Sequence, residues 1–510
     1  MTAGSPANGE WSTRLVGLSE WVMAACVVAA AVLVVWHAAQ EARLPFQLDY
    51  EEGNILNAAV RVNSGLTPYP DPHAYPNALD PYGPIGYSLA AACLRLGGLS
   101  FTLGRLGIIG CGLLIAVLLL LLIREWTGSG LLATSFGLYF LANGVTRTWL
   151  PLLRVDLLAI ALSMAGLWLC MRSAGRWWLP STALFALALF VKYTALAAPV
   201  ACVVYLLLRR DFRRGFWLAG ALGALCGAGF VWMQAHTDGN FAYHMFRTHP
   251  DVYTFRRLLG IFILVEPSVV ALVPMLLAFL LLKWRRALPA LSYLCCTVGV
   301  VMVTGGKAGS FINHFLEPIA ACSAAAALGY QALAQSPRAP RLLPLLPCTL
   351  GVVALYLAGA FTQDTRVVPL YVSGCTDVYR LVREPPGQRV LSENVGAVVL
   401  AGQVPEVSNP FVLNQLVRHR DLPGQPLEKM VADHQFDLIV LTNEPEEMQM
   451  AGSTRWWPRL INAMDTSYRV AKIYDCTEAN VVLKPKTVLP ASGESSPSEP
   501  SAAGSRKRQP

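Results

Sequence analysis

Charge is the scarce ingredient of this sequence. Asp, Glu, Lys and Arg make up 14% of its 510 residues, against 54% hydrophobic residues and a mean hydropathy of +0.45. Soluble domains carry about 25% charged residues, so a water-soluble globular chain is excluded. Any CxxC pair or Cys/His cluster at zinc-binding spacing is missing too, which removes zinc fingers and ribbons. No internal repeat divides the apolar region, as it often does in secondary transporters. The first apolar segment lacks a clear small-residue cleavage site and exceeds the roughly 7–15 residues of a signal h-region, so it reads as a retained helix.

Long apolar runs are what the sequence has instead. A hydrocarbon core of about 30 Å takes about 20 apolar residues per helix. Qualifying windows are Trp21–Ala38, Leu103–Ile123, Leu157–Met171, Phe216–Gln234, Leu258–Leu282, Leu288–Thr304, His314–Tyr330 and Leu342–Phe361. Shorter or broken ones lie at Gly83–Leu99, Leu131–Ala142, Leu179–Val191 and Tyr193–Leu208. They predict an α-helical polytopic membrane protein of about 11–13 spans.

The net charge of +8 comes mainly from Lys and Arg in short loops between windows. It is a topology signal rather than a polyanion-binding patch, and no nucleic-acid partner is expected. The basic loops Arg209–Arg214, Lys283–Arg286 and Ser336–Arg341 are each one pair of windows apart, so they share a side, the cytoplasmic one. Residues beyond about Phe361 then fall on the far side, with the loops His236–Arg257 and Gly305–Asn313. In front, the parity stays open. Three crossings between Gly83 and Ala142 put Arg154 and Asp156 inside, and two put them outside.

After Phe361 long apolar windows give way to strand-like runs, "QRVLSE" (Gln388–Glu393), "FDLIVLTN" (Phe436–Asn443) and "YRVAKIYD" (Tyr468–Asp475). The expected organisation is a multi-pass module over 1–361 with an acidic external loop at 40–83, a small extracytoplasmic α/β domain over 362–485, and a disordered Pro/Ser-rich tail over 486–510. Ten of the twelve Cys lie in or beside apolar windows, as small buried hydrophobes do. Cys375 and Cys476 bracket the external domain and pair as a disulfide if that side is oxidising, although sequence does not give their separation.

The acids gather in "FQLDYEEGNILNAAVRVNSGLTPY" (Phe46–Tyr69), where Asp49, Glu51 and Glu52 follow the first helix. Carboxylates beside a bilayer are costly unless they face water, a partner or a substrate. A solvated loop face is one reading; an N-terminal charge complement to an interfacial amphipathic helix is another.

The context adds to this. The acids precede "GLTPY" (Gly65–Tyr69) and Tyr82-Gly83-Pro84-Ile85-Gly86-Tyr87. This order resembles the first external loop of the GT-C superfamily, integral-membrane glycosyltransferases that use polyprenyl-phosphate-linked sugars and include aminoarabinose transferases and protein O-mannosyltransferases. Weaker pieces follow: "LLRVDLLAIAL" (Leu152–Leu162), "LFVKYTALAAP" (Leu189–Pro199), "GGKAGSFINHFLEPIAA" (Gly305–Ala321) and "LSENVGAVVLAGQVPEVSNPF" (Leu391–Phe411). The resemblance implies a membrane hexosyl- or pentosyltransferase of the GT-C type. Its lipid-facing bundle would bind a polyprenyl-phosphate donor and hand the sugar to a glycolipid, envelope glycan or protein at the outer face of the inner (plasma) membrane.

Glycosyl transfer needs a base for the acceptor proton and positive charge for the departing phosphate. The resemblance points to Asp49 as base, with Glu52 or Glu51 orienting the acceptor. Tyr69 and Tyr82 stand in the two Tyr motifs that line the substrate region, and Lys192, Lys307, Arg154 or Arg61 supply cations, with Asp156 beside Arg154. Each has a plainer reading. Lys192 snorkels, Lys307 sits in a Gly-rich turn, Arg154 pairs with Asp156, and His314 with Glu317, a metal half-site with no second ligand pair, makes ordinary polar contacts. No cofactor is required and no metal ligand is assigned, although Asp49 and Glu52 offer hard oxygens that a divalent cation accepts. The rivals are a transporter or flippase of lipid-linked intermediates, with the acids as an ion relay, and a non-catalytic assembly factor.

Overall fold

The computed structural model describes residues 6–172, 176–248, 252–336, 342–359, 368–476 and 481–486, and the apolar windows within them are helical. The first, α1 (Pro6–Glu41), stops short of the acidic loop. Next, α2 (Tyr50–Asn63) starts at Asp49, whose carboxylate caps the helix while Glu52 reaches back to the Asp49 backbone, a reciprocal capping box. Pro84 at the first position opens α3 (Pro84–Gly97), where its fixed φ suits a helix start.

The geometry resolves the front half. Gly83 N donates to Val191 O at one end of α3. At its other end Gly97 abuts Leu103, in the first turn of α4 (Thr102–Thr127). Arg105, one turn into α4, donates to the backbone oxygens of Glu41, Leu44 and Phe46, so α4 begins at the acidic-loop end. The Gly83–Leu99 window therefore makes no crossing of its own. The chain runs away along α4, returns through α5 (Gly130–Tyr139) and α6 (Gly144–Trp149), and brings Arg154 to 2.7 Å from Asp49. Arg154 and Asp156 thus share the end of the acidic loop, as the two-crossing reading requires. From there α7 (Asp156–Arg172) leads off to the far end, where Arg172 meets Glu125 of α4.

Three further helices, α8 (Trp178–Val191), α9 (Ala197–Leu208) and α10 (Phe212–His236), zigzag between the ends, and Lys192 is the extended break after α8. Beyond them come a pair bent by 64° (Phe255–Ser268 and Val270–Leu280), then Trp284–Thr304, Leu316–Ala334 and Leu345–Leu357. The other eleven windows are helical within the described residues. Among the described residues four helices are long and apolar enough to cross a membrane unaided, and the bent pair makes a fifth. At the far end Arg286 of the "KWRR" loop bonds Gln331, which bonds Thr127 O.

The C-terminal region carries a four-stranded mixed sheet in the order β1-β2-β4-β3, from β1 (Val390–Ser392), β2 (Leu438–Leu441), β3 (Tyr468–Ile473) and β4 (Val481–Pro485). β1 pairs β2 in parallel and the other pairs are antiparallel. β1 and β2 are buried along their length, as uniformly apolar strands are, while the edge strand β3 shows Arg469 and Lys472 to solvent. Three strands fall on the three expected runs; β4 was not foreseen. Cys375 and Cys476 form a disulfide. The expected disordered tail, apart from Lys486, lies outside the described residues.

This region sits directly on the acidic loop. Gln47 N donates to Tyr379 OH, Gly396 N donates to Gln47 Oε1, and Asn77 pairs with Val407. A Cβ on Gly53 would lie 2.4 Å from Gly396 N, so α2 and the helix Val395–Leu400 approach as closely as glycine allows.

Candidate active site

The acidic loop is held by a buried ion pair that the sequence did not announce. Arg105 binds Glu52 through two parallel bonds, Nε to Oε1 at 2.8 Å and Nη2 to Oε2 at 2.7 Å, both side chains fully buried. Glu52 also accepts from Leu153 N and Leu48 N, each at 2.6 Å. A bidentate pair whose remaining donors and lone pairs are used by backbone is a geometry in which buried charges are stable. It fastens α1, α2, α4 and the segment before α7 together. Glu52, expected to help orient an acceptor, is sealed inside this latch.

Beside the latch a cavity of about 120 Å³ opens among the acidic loop, the ends of α7 and α8, the loop 304–314 and the C-terminal region. Its wall includes Tyr50, Glu51, Tyr82, Arg154, Lys192, Lys307, Asn313, His314, Phe411 and Val412. Arg154 is the hub: Nη1 meets Asp49 Oδ1 at 2.7 Å, Nη2 meets Tyr82 OH at 3.2 Å, and Nε stands 3.6 Å from Asp156 Oδ2. Trp149 lies under its guanidinium. Asp156 in turn gathers Lys192 Nζ at 2.5 Å, Asn313 Nδ2 at 2.8 Å and Trp149 Nε1 at 3.0 Å. On the opposite wall Gly309, at φ +85, passes under Phe411, and a Cβ there would stand 3.1 Å from the ring.

Of the loop carboxylates, Glu51 is the one on the cavity wall. Asp49 stands just behind, capping α2 and paired to Arg154. Burial raises the Glu51 proton affinity above that of an ordinary Glu; Arg154 pulls it down, Asp49 pushes it up, and hydrogen bonds from Asn54 and Asn409 lower it. The balance leaves it raised, the direction that suits a base working near neutral pH.

Besides Glu52, two expected site residues, Tyr69 and Arg61, lie off the cavity wall. Tyr69 is fully buried behind the wall, its hydroxyl donating to Tyr82 O at 2.7 Å, so it supports Tyr82 rather than facing the cavity. Arg61, at the C-terminal end of α2, donates to Thr67 O and is also off the wall. His314 and Glu317 make separate contacts, with Thr304 and with Tyr293. Glu51, Tyr82, Arg154, Lys192 and Lys307 converge on one cavity, with Asp49 and Asp156 immediately behind. Arg105 and Asn409 went unnoticed: one lies in an apolar window, the other is a polar residue in a turn-rich stretch. The Asp49–Glu52 pair is a poor fit to a divalent cation, since both carboxylates are already engaged by arginines. Among the described residues no three His, Cys, Asp or Glu side chains come together as a metal site.

The architecture is the GT-C fold: an apolar helical bundle, an acidic loop after the first helix, and a C-terminal unit over its polar end. ArnT from Cupriavidus metallidurans bound to undecaprenyl phosphate superposes with a TM-score of 0.62 at 13% identity, over 91% of this chain and 98% of that one. Its apo state gives 0.61 at 14% identity, over 90% and 96%. The Archaeoglobus fulgidus oligosaccharyltransferase tethered to an acceptor peptide containing the NVT sequon gives 0.52 at 12% identity, over 92% and 75%. No protein-family model and no curated protein matches the chain.

Proposed function

We propose that this protein is a membrane glycosyltransferase that moves a hexose or pentose from a polyprenyl-phosphate donor to a glycolipid, envelope glycan or protein acceptor. One observation carries the reading: Glu51, Arg154, Lys192 and Lys307 face a single cavity at the polar end of an apolar bundle. The shared fold adds support, since one neighbour holds undecaprenyl phosphate and another an acceptor peptide. A transporter's ionisable groups would be expected near mid-membrane.

The acceptor hydroxyl or amine attacks the anomeric carbon and its proton passes to a loop carboxylate. The bond from that carbon to the phosphate oxygen breaks, and the electron pair leaves with the polyprenyl phosphate. Arg154, Lys192 and Lys307 meet the charge that develops there. What favours Glu51 over Asp49 as the base is its position on the wall and its raised proton affinity. Asp49 then holds Arg154 toward the phosphate. This scheme routes no step through a metal, so a chelator is expected to leave turnover unchanged.

The basic loops argue for a cytoplasmic far end, and the Cys375–Cys476 disulfide fits an oxidising, extracytoplasmic side for the C-terminal domain, 362–485. The inner (plasma) membrane is the compartment that this orientation suits.

The test uses the full chain in proteoliposomes supplied with polyprenyl-phosphate sugars extracted from its native membranes, reading release of undecaprenyl phosphate. Glu51→Gln is expected to lower turnover on the order of 10²–10⁴-fold with the thermal midpoint unchanged. Asp49→Asn is expected to lower it less. Full activity in Glu51→Gln would remove the carboxylate assignment, and lipid translocation without sugar release would turn the reading toward a flippase. Mass spectrometry of envelope glycolipids from a deletion strain would identify the sugar and acceptor.

A further inference from the structure

Glu51 has two amide partners, and they come from opposite ends of the chain. Asn54 Nδ2, one turn along α2, donates to Oε2 at 3.3 Å, and Asn409 Nδ2 donates to Oε1 at 3.1 Å. Asn409 is 1% exposed and stands at the N-terminus of the helix Pro410–Arg418, where its Oδ1 accepts from Val412 N at 3.1 Å. That capping bond fixes the amide: with Oδ1 committed to the helix, Nδ2 has to face the carboxylate. The segment before it is itself seated on the acidic loop. Ser408 N donates to Asn77 O at 2.9 Å, and Leu79 N donates to Ser408 Oγ at 2.8 Å. Phe411 and Val412, the next turn of the same helix, line the cavity.

We infer that Asn409 is a positioning residue for Glu51, through which the C-terminal α/β region orients the carboxylate and keeps it in its proton-accepting form. This deepens the proposal above and rests on Glu51 being the base. Each N–H donated to a carboxylate favours its charged form. The other groups facing Glu51 are Arg154 from the segment before α7, Asp49 and Tyr50 from its own loop and helix, Asp80 and Tyr82 from the following loop, and Tyr87 from α3. Only Arg154 among them opposes the burial. The two amides add to Arg154 in opposing the burial, and one of them comes from the C-terminal region.

A plain capping role would give the same structure, and the two separate by substitution. Serine caps a helix about as well as asparagine but has no amide to donate, so Asn409→Ser keeps the cap and deletes the bond to Glu51. Asn409→Asp also caps, and turns a like charge toward the carboxylate.

Dicyclohexylcarbodiimide reacts with protonated carboxyl groups in apolar surroundings. The pH dependence of its addition to Glu51, followed by mass spectrometry of the intact purified chain, reports the protonation midpoint without any substrate. In Asn409→Ser the midpoint is expected to rise by about one pH unit with the thermal midpoint unchanged; in Asn409→Asp it rises further. Turnover of Asn409→Ser on the extracted donor pool should be depressed at neutral pH and recover on the alkaline side. A wild-type labelling midpoint in both variants would overturn the inference, even with Glu51→Gln inactive. Activity retained in Glu51→Gln would instead sink the base assignment, whatever Asn409 does.

Discussion

Glu51 and Glu52 are consecutive residues of one helical turn, yet their surroundings are opposite. Glu52 is fully buried, held by the Nε–Nη2 edge of the Arg105 guanidinium and by three backbone N–H groups, with no lone pair left for a ligand. Glu51 is nearly as buried but meets only two neutral amides and faces the cavity. One carboxylate has its charge neutralised within the protein and holds four segments together. The other is held by neutral amides with its proton affinity raised by burial, which a folding argument alone does not explain. Burial and residue type are the same in both; the partner set tells a strut from a reagent.

The sharpest way to break that comparison is to remove the strut. Arg105→Met leaves Glu52 as an unpaired buried charge, and breaking such a pair costs about 3–5 kcal/mol. The expected outcome is early thermal unfolding in detergent, with Glu51→Gln indistinguishable from wild type in the same assay. The double variant Arg105→Met/Glu52→Met should regain part of the loss, because an apolar pair of similar volume is not penalised for buried charge. If Arg105→Met were no less stable than Glu51→Gln, the distinction between the two glutamates would collapse.

A second fastening can be tested by pH. His244 is buried, accepting from Asp80 N at 3.1 Å through Nδ1, with Nε2 at 2.9 Å from Pro70 O, and it ties the loop after α10 to the acidic loop. Burial is the main cause that holds its pKa down, to about 4. The unfolded chain protonates this ring near pH 6.5 and the folded one does not. Its contribution is therefore fully present above that value and fades as pH falls toward 4, by on the order of 3 kcal/mol. His244→Asn should flatten the fall in thermal midpoint between pH 6.5 and 4, and a variant whose acid sensitivity equals that of wild type would refute the assignment.

How much of this could be read from the sequence follows from what sequence patterns report. Apolar windows report burial in lipid or protein, so the helices were legible, and alternation-poor apolar runs gave three of the four strands. Direction is not in that signal: Gly83–Leu99 is as apolar as a span, yet both ends of α3 lie at the acidic loop. Partners at long range are not in it either. Arg105 interrupts an otherwise greasy helix and finds Glu52 53 residues away, and Asn409 finds Glu51 358 residues away. The one available signal for Arg105 was cost, since a charge inside an apolar window needs a buried counter-ion. Tyr69 was expected at the site because its motif is local, but its hydroxyl serves Tyr82 from behind the wall.

The comparison between strut and reagent extends to the two lysines of the cavity, where the stability effects should be smallest. Lys192 is shared: its ammonium neutralises Asp156, a buried acid at the start of α7. Lys192→Met should therefore lower both turnover and stability, the latter by only about 1–3 kcal/mol, because Arg154, Asn313 and Trp149 still attend the carboxylate. Lys307 lies across the cavity on the loop that runs under Phe411. Lys307→Met is expected to leave the thermal midpoint where it was while cutting turnover on the order of 10²-fold, the loss that follows when one charge-stabilising donor is taken from a developing anion. Donor concentration series for both variants separate the cases. If Lys307→Met unfolded early and turned over normally, this lysine would belong with Arg105 among the struts, and the positive charge opposite Glu51 would have to come from Arg154 and Lys192 alone.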